Sequence, residues 1–195
     1  MKNKPVIVGI GELLWDMLPS GKKAGGAPVN FVYHASLLGA ESYAISAIGK
    51  DALGDEILQE LDKIKLSYFI ERVDYPTGTV LVQLKEGIPN YTIIENVAWD
   101  YIPATDEVKQ LARRTDAICF GTLAQRSVVS RSTIHEILSL VPQSAYRILD
   151  INIRQHFYSK QIIEESLRLC NVFKMNDDEL ELLRELFPLE GCDED

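Results

Sequence analysis

A pair of glycines running straight into a helix start, Gly25-Gly26-Ala27-Pro28-Val29-Asn30, constrains this 195-residue chain more than any other stretch. Pro28 suits a first helical turn, because its ring already holds φ near the helical value and its missing N–H would have had no partner there. Val29, Val32, Ala35 and Leu37 with Leu38 give an apolar stripe at helical spacing, and Gly39 is placed to stop the helix in a left-handed turn. Two residues without side chains let a ligand reach the backbone at Gly25 and Gly26. Asn30, on the first turn of the same helix, offers an amide that both donates and accepts, which suits a hydroxyl-rich ligand. The same residues also fit a plain tight turn followed by an amphipathic surface helix.

With 46% hydrophobic residues the chain carries enough apolar material for one sizeable core, so one domain, or one domain with a small appendage, is expected. Its 29 acidic against 20 basic residues give a formal charge of −9, which argues against a nucleic-acid or anionic-membrane surface, since both select for a basic patch. An anionic nucleotide would then need a local positive site. Cys119, Cys170 and Cys192 are odd in number and widely spaced, which reads as reduced, mostly structural thiols in a cytoplasmic protein. No metal-site spacing occurs. Residues 1–15 read as a strand and not a signal peptide, and no apolar run reaches the length of a membrane span.

Residues 6–10 form a short β-branched run of the kind found in buried parallel strands. Glu12 and Asp16 lie just beyond its carboxyl end, where open α/β sheets bind ligands, so Asp16 is a candidate partner for substrate hydroxyls. Residues 42–48 predict a second strand, and Leu53, Ile57, Leu58, Leu61 and Ile64 mark one face of a helix. Residues 79–84 and 91–94 read as a β-hairpin set apart from the βα rhythm. From residue 105 the alternation is regular: helices over 106–114, 132–140, 159–170 and 179–187 alternate with strands over 117–120, 147–150 and 172–175. Repeats of this length imply a parallel sheet with helices on both faces.

These last strands each deliver polar residues just past their ends. Thr122, Gln125 and Arg126 follow the first, Asn152 and Arg154 the second, and Asn176, Asp177, Asp178 and Glu179 follow Lys174 on the third. Three such strand ends describe one crevice. Arg154 and Lys174 bring the positive charge that phosphoryl transfer requires into an otherwise acidic protein. The plainer alternative makes the arginines solvated and Asn176 a simple helix cap.

Taken together, several runs resemble the ribokinase/PfkB carbohydrate kinases. Gly25 to Asn30 with Leu38-Gly39, then Ile48-Gly49-Lys50-Asp51-Ala52-Leu53-Gly54 with Leu61, is similar to the family's first signature. Gly11-Glu12-Leu13-Leu14-Trp15-Asp16, Ala98-Trp99-Asp100, Phe120 to Arg126 and Asp150-Ile151-Asn152-Ile153-Arg154 resemble the fructokinase branch. The resemblance implies a ribokinase-like three-layer α/β/α sandwich with a mostly parallel central sheet. It adds a small β lid from about residues 12–24 and 77–101, through which many members pair as homodimers. It implies transfer of the ATP γ-phosphate to a sugar hydroxyl, with fructose foremost, using Mg2+ and in some members K+. Asp16, Gly25, Gly26 and Asn30 would hold the sugar with Arg126 beside it, and Tyr91 and Trp99 would close over it. Asn152, Arg154, Lys174 and Asn176 would face ATP, and Glu179, in a run similar to the family's Asn-x-x-Glu motif, would set the Mg2+. The family's base is the aspartate of a Gly-Ala-Gly-Asp segment that does not occur in these residues. The expectation is therefore the first two thirds of a longer kinase, inactive alone. Rival expectations are a kinase for ribose, a nucleoside or a keto-deoxy sugar acid, and a truncated sugar-binding relative without catalysis.

Overall fold

The computed structural model describes residues 4–85 and 88–187. In chain order they form β1 (Val6–Ile10), β2 (Leu14–Leu18), β3 (Gly21–Gly25), α1 (Ala27–Leu37), β4 (Glu41–Gly49), α2 (Ala52–Lys63) and β5 (Ser67–Val73). There follow β6 (Gly78–Lys85), β7 (Ile88–Ile93), α3 (Asp106–Ala112), β8 (Ala117–Gly121), α4 (Val128–Leu140) and β9 (Tyr146–Asp150). The last are α5 (Lys160–Leu169), β10 (Val172–Lys174) and α6 (Asp177–Leu186), and short 3-10 turns occupy Ala98–Tyr101 and Leu123–Arg126. Cys192 lies outside the described residues.

Six strands pair in the order β10-β9-β8-β1-β4-β5, every neighbour parallel. Successive side chains on a strand point to opposite faces, and β4 shows how this makes three layers. Ile45 and Ala47 pack with α3 and α4 through Val108, Leu111, Ile134 and Ile137. Ala44 and Ile48 turn the other way, onto Val29 and Val32 of α1 and Ile57 and Leu61 of α2. Helices therefore cover both faces of a parallel sheet, as the alternation predicts. Asp51 starts α2: its Oδ1 accepts the Gly54 N–H at 2.8 Å and the Thr77 hydroxyl at 2.6 Å, and its Oδ2 accepts the Thr77 N–H at 2.8 Å.

A second sheet has the order β3-β2-β6-β7. It joins two antiparallel hairpins through a parallel ladder in which Leu14 to Met17 of β2 lie beside Gly78 to Leu81 of β6. Leu14, Val80 and Ile93 bury its inner face in the main core.

Three sequence expectations change. Leu37 and Leu38 are 65% and 90% exposed, because α1 ends at Leu37 and the chain turns away at Gly39 with φ +93°; the buried stripe rests on Val29 and Val32. Helix α4 starts at Val128, ahead of the expected residue 132, and its first turn puts Val128 and Val129 in solvent, so no apolar period marks the start. Strand β5 goes unpredicted: it is a sheet edge with no fully buried residue, and its pattern is correspondingly weak. No helix of the described residues is long and apolar enough to cross a membrane.

Candidate functional site

The carboxyl ends of β1 and β9, the start of α1 and the second sheet enclose a cavity of about 610 Å3, within the range of small-molecule sites. Glu12 comes from the β1 end, Asp16 from β2, Gly26 and Asn30 from the entry to α1, and Asn152 and Arg154 from the loop after β9; Val80, Tyr91 and Ile93 supply the apolar wall. Asn152 and Gln155 hold that loop with φ of +43° and +50°, a conformation non-glycine residues adopt rarely and that concentrates at functional sites. Gln155 then donates its side-chain amide to the Tyr91 carbonyl, tying the loop to the second sheet.

The glycine pair works in two ways. Gly26 has φ +126°, and a Cβ there would lie 2.1 Å from the Glu12 carbonyl oxygen, so only glycine fits between β1 and α1. Gly25 is buried opposite Leu14, and a Cβ there would meet Asp16 Oδ2 at 2.9 Å. Gly26 therefore lines the cavity, whereas Gly25 gives the Asp16 carboxylate room to stand.

Burial raises the Asp16 carboxyl above the ordinary carboxylate range, with Lys23 and Arg154 pulling it back. Glu12 is 2% exposed. Burial pushes its carboxyl up to about 7, against backbone hydrogen bonds, including the Ala27 N–H that Oε1 accepts at 3.1 Å, and against the charge of Arg154. A negative charge near a helix N-terminus is favourable, so this contact works against the effect of burial. The cavity thus brings together Asp16, Gly26, Asn30, Asn152 and Arg154, and adds Glu12, which the sequence showed only as a neighbour of Asp16 past the β1 end. Asn152 and Arg154, anticipated around ATP, stand on the same wall as the anticipated sugar residues.

Arg126 does not reach this cavity. Its Nε and Nη2 donate to Asp100 Oδ1 and Oδ2, each at 2.9 Å, and Nη2 also donates to the Ile94 carbonyl at 2.8 Å. The guanidinium lies 3.9 Å from the centre of the Trp99 ring and 4.5 Å from that of Phe157. It borders a neighbouring hollow of about 360 Å3 with His156 and Tyr101; Nε and Nη2 fix the descending end of the second sheet, whereas Nη1 is buried without a hydrogen-bond partner. Trp99 is 1% exposed and belongs to the core, so it cannot close over a ligand; Tyr91, half exposed on the cavity wall, can. Thr122 and Gln125 are likewise interior braces, to the Ile151 carbonyl and to Ser166.

At the end of β10, Lys174 reaches across to Asp150 at 2.9 Å and stays largely exposed. Asn176 caps α6 by accepting the Glu179 N–H. Glu179 is buried, with Oε1 accepting the Ile153 N–H and Oε2 the Asn176 N–H, each at 2.9 Å. Each oxygen thus accepts one backbone N–H, which makes Glu179 a brace between α6 and the β9 loop, and each keeps a second lone pair for the anticipated Mg2+ role. Among the described residues no group of three or more His, Cys, Asp or Glu side chains could hold a metal.

The sequence profile of the pfkB family carbohydrate kinases matches residues 20–191. The chain belongs to this family. An uncharacterized sugar kinase of Pyrococcus horikoshii is 27% identical over 194 residues, covering 90% of this chain and 63% of that protein. Its crystal structure superposes with a TM-score of 0.83 over 92% of this chain and 66% of that one. A fructokinase of Salmonella typhimurium is 25% identical over 186 residues, 88% of this chain and 60% of its own. A Vibrio cholerae fructokinase solved with fructose, ADP and potassium has the same fold, with a TM-score of 0.79 at 18% identity over 100% of this chain and 66% of that one. The pfkB chain thus has the ribokinase-like fold and spans about three fifths of the length of the relatives it matches.

Proposed function

We propose that these residues form the sugar-binding part of an ATP-dependent sugar kinase, with fructose as the acceptor. One observation carries the reading: a single cavity of about 610 Å3 gathers the Asp16 carboxylate, the Asn30 and Asn152 amides and the Arg154 guanidinium against an apolar wall. Carboxylate and amide groups suit a polyhydroxy ligand, because each hydroxyl both donates and accepts. A fructokinase of Salmonella typhimurium among the relatives supports fructose as the acceptor.

In this reading Asp16 accepts from sugar hydroxyls, Asn30 donates and accepts beside it, and Tyr91 covers the bound ring. Arg154, past the end of β9, and Lys174, at the end of β10, are exposed cations that supply charge for the phosphates of ATP, which provides the group transferred. The Pyrococcus protein has been crystallised with ATP, and the Vibrio one with fructose, ADP and potassium, which supports the same ligands here. Among the described residues no group of three or more His, Cys, Asp or Glu side chains is placed to hold a metal, so a Mg2+ would be held mainly by the phosphates of ATP and by water. In the family the base that takes the proton of the attacking hydroxyl is the aspartate of a Gly-Ala-Gly-Asp segment, a run that residues 1–195 do not contain. The free thiols Cys119 and Cys170 favour a reducing, cytoplasmic setting, and the exposed second sheet is the surface for pairing into a homodimer.

Calorimetric titration with D-fructose, D-ribose and a keto-deoxy sugar acid tests the proposal. Fructose should bind tightest, and Asp16→Asn should weaken it by about 10- to 100-fold, the worth of a charged hydrogen bond. Absence of binding by every sugar would overturn it.

A further inference from the structure

Glu12 has no part in the reading so far, although it is the most deeply buried titratable group of the cavity wall. Its two oxygens are treated differently: Oε1 accepts the Ala27 N–H, whereas Oε2 is buried without a hydrogen-bond partner. Buried polar atoms are nearly always paired, and one left over beside a ligand cavity asks for its partner in the ligand. A carboxylic acid has one oxygen that only accepts and one that carries the proton. Since Oε1 faces an N–H, the proton of the neutral acid belongs on Oε2.

We propose that Glu12 is a specificity-determining residue that acts in its protonated form, donating Oε2–H to an oxygen of the bound sugar while Oε1 holds the Ala27 N–H at the start of α1. The inference rests on the sugar-site reading and deepens it: the ligand meets one ionised carboxylate, Asp16, which only accepts, and one neutral carboxyl, Glu12, which donates. That pairing selects ligands that present an acceptor oxygen at the Glu12 position over those that present only a donor there.

The charged surroundings keep the two carboxyls apart in sign. Burial raises Glu12 to about 7; Arg154, from the β9 loop, opposes this and Asp150, at the β9 end, reinforces it. Asp150 is held by Lys174 of β10. Cys119 on β8 is pushed by burial up to about 12 and stays neutral throughout. Asp16 on β2 is raised from the ordinary carboxylate range, with Lys23 and Arg154 opposing. Acidification therefore weakens binding through Asp16, and alkalinisation weakens it through Glu12.

The experiment is titration of the protein with D-fructose from pH 5 to 9 in buffers of matched ionisation, for the wild type, Glu12→Gln, Glu12→Ala and Asp16→Asn. If only the acid form of Glu12 binds, wild-type affinity at pH 8 is about tenfold below that at pH 6, following the protonated fraction. Glutamine keeps an acceptor for Ala27 and a donor for the ligand, so Glu12→Gln should bind with no fall between pH 6 and 9. Glu12→Ala should lose tenfold or more at pH 6. Wild-type affinity that stays flat from pH 6 to 9, or an alkaline fall that persists in Glu12→Gln, overturns the role of Glu12 while binding that is still weakened by Asp16→Asn leaves the sugar site standing. Failure of fructose to bind the wild type at any pH overturns both.

Discussion

Removing the Arg126 side chain should cost stability before it costs anything else. Arg126→Met strips the charge from a side chain 8% exposed and leaves Asp100, 5% exposed, without its counter-ion. Breaking a buried ion pair from one side costs about 3–5 kcal/mol, because a buried charge is left uncompensated. The thioether chain of methionine recovers part of the stacking on Trp99 and Phe157, so about 4 kcal/mol is the expected net. That is a large share of the ~5–15 kcal/mol that holds a domain together. It corresponds to a fall in Tm of about 8–16 °C at the ~2–4 °C per kcal/mol of a chain this size. Urea unfolding of Arg126→Met, Asp100→Asn and the double variant gives the cycle. The double variant should be less destabilised than the sum of the singles, since it removes both charges together, although the Val97 N–H that Asp100 accepts at 3.1 Å persists as a contact of the asparagine. A loss below about 1 kcal/mol in Arg126→Met, or strict additivity, would refute the structural role and return Arg126 to the substrate.

Three further outcomes follow from the same geometry. Glu12 binds its proton more tightly in the folded chain, so its contribution to stability falls as pH rises between 4.5 and about 7; Glu12→Gln should match the wild type near pH 4.5 and exceed it by about 3 kcal/mol at pH 8, read by urea unfolding at the two pH values. Gly26→Ala should cost well over the ~1–3 kcal/mol of a strained backbone, because its Cβ meets the Glu12 carbonyl, whereas Gly21→Ala, at a similar φ of +127° with nothing within 4 Å, should cost the strain alone; equal losses would remove the clash from the argument. Asp51→Ala should lose about 1–2 kcal/mol and unprotect the first-turn amides of α2 in hydrogen exchange, with Gly54 leading.

Much of this was legible in the chain because burial and periodicity coincide there. Val8 and Ile10 of β1, or Ile134 and Ile137 of α4, are hidden on one side of regular elements, and such elements announce themselves. Strand β5 escaped because an edge strand needs no continuous apolar run. At the site, Asp16, Asn30, Asn152 and Arg154 could be found from their places just past strand ends or on a first helical turn. Arg126 and Trp99 carried the same signal and misled: both follow local motifs, but their direction is set by Asp100 and Phe157, which are remote in sequence from one or the other. For Glu179 the local motif showed the cap of α6 but not the Ile153 N–H, which comes from the β9 loop, remote in sequence. Glu12 was missed for the converse reason, since nothing local shows that an acidic residue will be enclosed.

The parallel ladder between β2 and β6 has a kinetic consequence. Each hairpin of the second sheet is local and can zip early, but the ladder pairs Leu14 with Gly78 across the whole of β3, α1, β4, α2 and β5. Contacts across such sequence separation are made late, after the loop-closure entropy has been met. The cavity wall carrying Asp16 and Val80 is therefore completed near the end of folding, and substitutions along that ladder should quicken unfolding while leaving the folding rate almost untouched.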